Sequence, residues 1–318
     1  IEEGLSEEGI FNGSGATITT YGKSFDRKEL LNSYREKLQK SVGSNRLDGV
    51  PIVLDLCWGS ATHSSAELFR GLGADLTILH GVPNGSKINL NCGSTDLTSL
   101  RQAVIEKGAQ MGFAFDGDAD RVIAVDGKGR VLDGDHLLFL WGSVLKDAGQ
   151  LPEQRLIASV MSNLGFENAW LARGGILERT AVGDQNIQAA MVKTGAGLGG
   201  EQSGHILSAK HGLYGDGLLT ALQIATICIS NGKSLENYRD QSFMPFPQKL
   251  INIPIDNEKH PEGWMNCQAF NSAVMDAEAE MGKEGRVLIR ESGTEPLLRV
   301  MVEGSNKKTV ESLTSHLA

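Results

Sequence analysis

The 318-residue chain has only four cysteines. Cys57, Cys92, Cys228 and Cys267 are scattered and form no C-x-x-C pair, which points to reduced, structural thiols in a cytoplasmic protein. No apolar run approaches the ~20 residues needed to span a bilayer. The opening stretch, IEEGLSEEGI, has neither the basic start nor the apolar segment of a secretory signal. Basic charge is also in short supply: 30 Lys and Arg against 39 Asp and Glu leave a net charge of −9. That balance argues against a general nucleic-acid binder, yet allows a local basic pocket for a phosphorylated small molecule. The sequence contains no G-x-S-x-G, no G-x-x-x-x-G-K-[ST] and no H-E-x-x-H, so three common catalytic signatures are excluded. The histidines other than His205 show no metal-ligand spacing.

What is present is ordinary for a globular protein, with 40% hydrophobic and 22% charged residues. The length predicts two to four domains. GSGATITTYG reads as one strand and SFDRKELLNSYREKLQKSV as one amphipathic helix, with Ser24 or Asp26 as its cap. Neither can bury a core alone. From Val50 the pattern alternates: VPIVLDL, ADLTILHG and MGFAFD read as strands, HSSAELFRGLG and STDLTSLRQAVIEKG as helices. Alternation of that kind predicts a mostly parallel α/β sheet. VIAVDGKGRVLDGD reads as a hairpin turning at Gly127–Gly129. A second α/β unit runs from HLLFLWGSVLKDAG through RLIASVMSN, GILERTAV and NIQAAMVKTG to the helix DGLLTALQIATICIS. Pro245 and Pro247 mark a linker. Beyond it LINIPI, RVLIR and LLRVMVEG are strands, and FNSAVMDAEAEMG is helical, as in a small α+β domain.

Three segments carry chemistry. In GFAFDGDADRVIAVD, Asp116, Asp118 and Asp120 alternate with Gly117 and Ala119, and Arg121 follows. Small residues between carboxylates let the backbone curl so that all three reach one centre, and a hard divalent cation such as Mg²⁺ suits such a set. The spacing is not an EF-hand, because Arg121 and Gly127 stand where that loop needs Gly and Glu. The competing reading is a solvated acidic turn. In LGGEQSGHIL, Glu201 and Ser203 offer the acceptor and donor that sugar hydroxyls require, and His205 could move a proton near neutral pH. A plain glycine turn competes with that reading. His211 and Asp216, in KHGLYGDG, are close enough in sequence to line the same cleft. In RVLIRESGTEPLLRVMVEG, two strands deliver Arg290 and Arg299 to either side of a turn. Ser292, Gly293 and Thr294 there would supply N–H groups and hydroxyls around an anion. A hairpin with incidental arginines is the alternative.

The order FDGDADR, GGEQSGH, RESGTEPLLRV, spread over some 180 residues, resembles the α-D-phosphohexomutase superfamily. The likeness is closest to its bacterial phosphoglucosamine mutase branch, where Gln202 is the usual choice. SVMSNLGFE, AVGDQNI and GDGLLTALQ extend it over nearly the whole chain. The resemblance implies a multi-domain α/β architecture with mixed α/β sheets and a C-terminal α+β domain. It divides the chain into a remnant of domain 1 at 1–45, domain 2 with the metal loop at 46–132, domain 3 with the sugar loop at 133–247, and a C-terminal domain with the phosphate loop at 248–318.

It further implies Asp116, Asp118 and Asp120 as Mg²⁺ ligands with Arg121 beside them as a catalytic residue. Glu201 and Ser203 become the sugar-binding pair, with His205 as acid/base or phosphate contact. Arg290, Ser292, Gly293, Thr294 and Arg299 become the grip on the substrate phosphate. The implied reaction interconverts glucosamine 6-phosphate and glucosamine 1-phosphate through an enzyme phosphoserine and a bisphosphate, with glucosamine or glucose 1,6-bisphosphate as activator. A phosphorylated hexosamine is the expected partner, without nucleic acid or membrane, and a homodimer is allowed. Phosphomannomutase/phosphoglucomutase activity and non-catalytic sugar-phosphate binding are the alternatives.

Two features depart from the family pattern. The phosphoserine motif Ser-His-Asn-Pro has no match in this chain; the only Ser-His pair is Ser315-His316. The expectation is therefore a truncated form that binds metal and sugar phosphate in part without completing turnover. Gln185 also stands where an arginine is common after Val-Gly-Asp, which removes one cation.

Overall fold

The computed structural model describes residues 22–255, 264–291 and 296–317. The chain divides into two units, residues 1–34 and residues 35–318. Helix α1 (Lys28–Ser41) begins in the first and ends in the second. Within the second unit its buried Leu38 faces inward, and Ser41 accepts a hydrogen bond from Gln223 Nε2 through its carbonyl at 3.2 Å. The strand expected at GSGATITTYG lies outside the described residues, apart from Gly22.

The first sheet contains β1 (Pro51–Asp55), β2 (Asp75–Leu79), β3 (Met111–Phe115), β4 (Val122–Asp126) and β5 (Val131–Leu132), in the order β2-β1-β3-β4-β5. Helices α2 (Ser65–Gly71) and α3 (Thr98–Lys107) supply the crossovers that let β1 pair in parallel with β2 and β3. Sheets of this kind bury both faces, which explains the unbroken apolar runs of β1, β3 and β4. The sheet is mixed and not mostly parallel. Only residues 116–121 separate β3 from β4, far too few for a crossover, so that pair must be antiparallel. The expected hairpin around Gly127–Gly129 joins β4 to β5 in the same sense.

Helix α4 (Gly134–Asp147) starts at Asp133, whose carboxylate accepts the His136 N–H at 3.1 Å. It leads to β6 (Arg155–Ser159), α5 (Leu164–Ala172), β7 (Ile176–Thr180), α6 (Asp184–Thr194), β8 (Leu198–Gly200) and β9 (Ile206–Ser208). Their order in the sheet is β7-β6-β8-β9, parallel except for the β8–β9 hairpin. The long apolar α7 (Gly217–Ser230) is buried over most of its length, and the short α8 (Leu235–Asp240) follows it.

The last sheet is fully antiparallel, in the order β10-β12-β11, from β10 (Gln248–Pro254), β11 (Gly285–Glu291) and β12 (Leu297–Gly304). Helices α9 (Gln268–Met281) and α10 (Lys307–Leu317) cover one face, enclosing a core of Leu298, Val300 and Val302 against Met281, Val310 and Leu313. No helix among the described residues is long and apolar enough to cross a membrane.

Candidate functional site

Each chemistry-bearing loop turns out to be the connection of an antiparallel strand pair. Residues 116–121 join β3 to β4, 201–205 join β8 to β9, and 292–296 join β11 to β12. The first two connections are short and anchored at both ends, so their side chains inherit the rigidity of the sheet.

In the first loop Asp116 is buried, Asp120 half-buried and Asp118 exposed, and one oxygen from each lies within 4.8 Å of the others. Ala119 turns the backbone through the left-handed region at φ 64°. Its carbonyl is held by the Gly217 N–H at the start of α7, at 2.9 Å. Three oxygen donors with no nitrogen or sulfur suit a hard cation. Octahedral Mg²⁺ at about 2.0–2.1 Å per bond places its oxygens about 3–4 Å apart, the scale of this cluster. Arg121 acts as an internal counter-ion: its Nε donates to Asp116 Oδ2 at 2.7 Å and its backbone N–H to Asp116 Oδ1 at 3.2 Å. Burial by itself would lower the Arg121 pKa, but Asp116 and Asp120 outweigh it and hold the guanidinium above its ordinary value.

The second loop is laid onto the first. His205 forms a β-bridge with Arg121, and the Val122 N–H donates to the Gly204 carbonyl at 3.2 Å. Gly204 sits at φ +93°, and a Cβ there would meet the Val122 carbonyl oxygen at 2.1 Å, so the two backbones can approach this closely only at glycine. The buried His205 ring places Nδ1 3.1 Å from Asp120 Oδ2, while Nε2 is buried with no hydrogen-bond partner among the described residues. Glu201 is half-buried and accepts the Gly183 N–H at 3.2 Å; Ser203 is exposed. Gly134 at the head of α4 donates to the Gln202 carbonyl at 3.0 Å.

The third loop is described in part. Ser292, Gly293 and Thr294 lie outside the described residues; Arg290 and Arg299 are described and face each other across β11 and β12. Two like charges opposite one another on a sheet are unfavourable unless an anion joins them. Burial and the neighbouring Arg299 push the Arg290 pKa down, while the Glu201 carboxylate pulls it the other way. The five-residue 201–205 loop thus contacts the carboxylate cluster through His205 and the head of α4 through Gln202.

His211 does not join this group. It lines a separate cavity of about 680 Å³ with Trp141 and Gln223. Asp216 caps α7, accepting the Leu219 N–H at 2.9 Å. Reading the residues one at a time also missed Asp135 and Asn163. Asp135 is fully buried next to Gly134, which anchors the 201–205 loop, and its Oδ2 accepts the Asn163 N–H at 2.7 Å. Burial, reinforced by Asp133, raises its pKa to about 8. The Leu-Asp-Gly-Asp run before an apolar helix was the available signal, but it reads first as a helix cap.

Three family models match, described as phosphoglucomutase/phosphomannomutase alpha/beta/alpha domain II over residues 32–129, alpha/beta/alpha domain III over 133–246, and C-terminal domain over 250–318. The phosphoglucosamine mutase of Synechococcus sp. (strain CC9311) is 63% identical over 96% of this chain and 68% of its own length. That of Prochlorococcus marinus (strain MIT 9303) is 62% identical over 100% of this chain and 68% of its own. The chain therefore spans about two thirds of the length of these relatives. Among solved structures, a phosphoglucomutase/phosphomannomutase family protein from Burkholderia thailandensis superposes with TM-score 0.73 at 22% identity, covering 90% of this chain and 62% of that one. The Aspergillus fumigatus N-acetylphosphoglucosamine mutase, in complex with GlcNAc-6P and magnesium, gives 0.72 at 18% identity, over 91% and 64%. At these identities the structures establish the multi-domain fold alone.

Proposed function

The chain belongs to the phosphoglucomutase/phosphomannomutase family, and on that premise we propose that it forms the metal- and sugar-phosphate-binding part of a phosphoglucosamine mutase acting in the cytoplasm. The observation that carries this reading is the 201–205 loop laid against the Asp116–Asp118–Asp120 cluster through His205, in a chain whose last sheet sets Arg290 opposite Arg299. A sugar phosphate is an object of that kind: hydroxyls in the middle and a dianion at the end. Three separate sheets, within 51–132, 155–208 and 248–304, support a division into domains at 46–132, 133–247 and 248–318.

Asp116, Asp118 and Asp120 would hold Mg²⁺, which when bound supplies positive charge to the transferring phosphoryl group. His205 keeps the Asp120 carboxylate oriented and, being buried, works through that residue. Arg121 neutralises Asp116, so the cluster stays compact before the metal arrives. Glu201 and Ser203 bind sugar hydroxyls. Arg290 and Arg299, with Ser292, Gly293 and Thr294, bind the distal phosphate and set which end of the sugar faces the metal. Phosphoryl transfer demands chiefly this positioning and charge compensation from a protein. Glucose or glucosamine 1,6-bisphosphate, with a phosphate at each end, fits the same two poles as activator.

Calorimetric titration with glucosamine 6-phosphate, mannose 6-phosphate and glucose 6-phosphate, each with Mg²⁺, tests the assignment. Preference for the amino sugar is the expected result. Equal affinity for all three, or tighter binding of mannose 6-phosphate, would reject the glucosamine assignment.

A further inference from the structure

The face of the last sheet opposite its helices carries two cross-strand pairs. Arg286 stands opposite Glu303 and Arg290 opposite Arg299. Positions four apart on a strand share a face, which separates the pairs by about 14 Å at about 3.4 Å per residue. Leu288 and Met301 face each other between them.

The Arg286 pair is committed to the protein. The Glu303 side chain is 0% exposed, a rare condition for a carboxylate. Its Oε2 accepts from Arg286 Nε at 2.7 Å, and its Oε1 accepts the Leu164 N–H at 3.0 Å. The rest of the Arg286 fork donates to the carbonyls of Val160 at 2.9 Å and Ser162 at 2.6 Å. Val160, Ser162 and Leu164 all lie in the stretch that leads from β6 into the first residue of α5. The same stretch is fixed from its other side. Arg179 donates to the Ser162 carbonyl at 2.8 Å, and the Asn163 side chain pairs with the backbone N–H and carbonyl of Phe246 in the Pro245–Pro247 linker.

We propose that Arg286 and Glu303 are a positioning pair for sugar-phosphate binding, pinning the C-terminal sheet so that Arg290 and Arg299 meet the phosphate of a sugar held at Glu201. The inference rests on the sugar-phosphate reading above. With an arm of about 14 Å, a tilt of about 5° at the pin displaces the arginine pair by about 1 Å. A shift of that size is enough to spoil a two-point contact. The planar fork matters as well as the charge, because one ammonium cannot reach the carboxylate and two carbonyls together.

The test uses the whole chain with Mg²⁺ and compares two probes. Glucosamine 6-phosphate must bridge Glu201 and the arginines; inorganic phosphate needs only the arginines. Arg286→Ala is expected to weaken glucosamine 6-phosphate at least tenfold while changing inorganic phosphate less than twofold. Arg286→Lys, which keeps a charge beside Glu303, should fold if the alanine variant does not, and show the same split at a smaller size. Val310→Ala, in the helix-side core of the same sheet, controls for lost stability and should leave both affinities within twofold. Unchanged glucosamine 6-phosphate binding in both Arg286 variants, or an equal loss of both probes, overturns the pin alone. A wild-type chain that binds inorganic phosphate and not glucosamine 6-phosphate overturns the sugar-phosphate reading and the pin with it.

Discussion

Gly134 offers the sharpest test of how the 201–205 loop is seated. It is the first residue of α4, and a Cβ there would lie 2.0 Å from the Glu201 carbonyl oxygen and 2.7 Å from the Gly204 nitrogen. Ordinary contact begins near 3.4 Å, so Gly134→Ala must open this junction by about 1.4 Å. Gly134 has no positive φ, and alanine can adopt its backbone without strain. Helix propensity alone would make the substitution stabilising by up to about 1 kcal/mol. Steric overlap with backbone atoms opposes it by about 1–3 kcal/mol, and the overlap should win because neither contacted atom is the end of a flexible side chain. The displacement falls on Glu201 and on the strand-like contact with β4. Misplacing a binding group by about 1 Å can cost up to about a hundredfold. Gly134→Ala should therefore lower the melting temperature and weaken glucosamine 6-phosphate binding by about ten- to a hundredfold, measured by calorimetry well below the transition. A variant that melts higher than wild type and binds the sugar phosphate equally well would refute the seating of the loop on α4.

Further outcomes follow from the same geometry. Asp118 is exposed, so Asp118→Asn should leave metal-free stability unchanged while abolishing the stabilisation by Mg²⁺, which for the wild type at a hundredfold excess over Kd amounts to about 2.7 kcal/mol; thermal unfolding with and without the ion measures it. Arg290→Gln should weaken inorganic phosphate at least tenfold yet stabilise the apo chain by about 0.2–1 kcal/mol, because it relieves the repulsion across β11 and β12. Asp135 titrates at about 8 when folded and near the ordinary carboxylate value, about 4, when unfolded. Between those values the folded chain keeps a proton that the unfolded chain has released, so stability should fall as pH rises from about 4 to 8 and then level off. Urea unfolding at pH 5, 6.5 and 8 should show that decline in the wild type and a flatter profile in Asp135→Asn.

The loops around Asp116 and Arg290 were legible because each follows an apolar strand and concentrates charges among small residues. No folding pattern requires that combination for its own sake. The antiparallel β3–β4 pair was obscured by the strength of the βαβ rhythm on either side of it. Strands β8 and β9 went unread as strands because each is three residues long and β8 ends in Gly199 and Gly200, too short and too small to show alternation. Helix α5 was hidden behind the Met-Ser-Asn turn, and α8 and α10 lie where helix signals are brief. Arg286 and Glu303 looked like the polar ends of ordinary strands.

The sequence by itself determined the chemistry on offer: three carboxylates on one tight turn, a sugar-compatible loop, and two arginines delivered by a hairpin. It also determined the local elements that carry them, since strand and helix periodicity is a property of neighbours along the chain. Only the tertiary structure decided that the 116–121 and 201–205 loops lie against one another. His205 meets Asp120 across 85 positions, and Arg286 reaches the Val160 carbonyl across 126. Such contacts depend on how sheets pack against one another, and hydrophobic periodicity records which face is covered without recording what covers it.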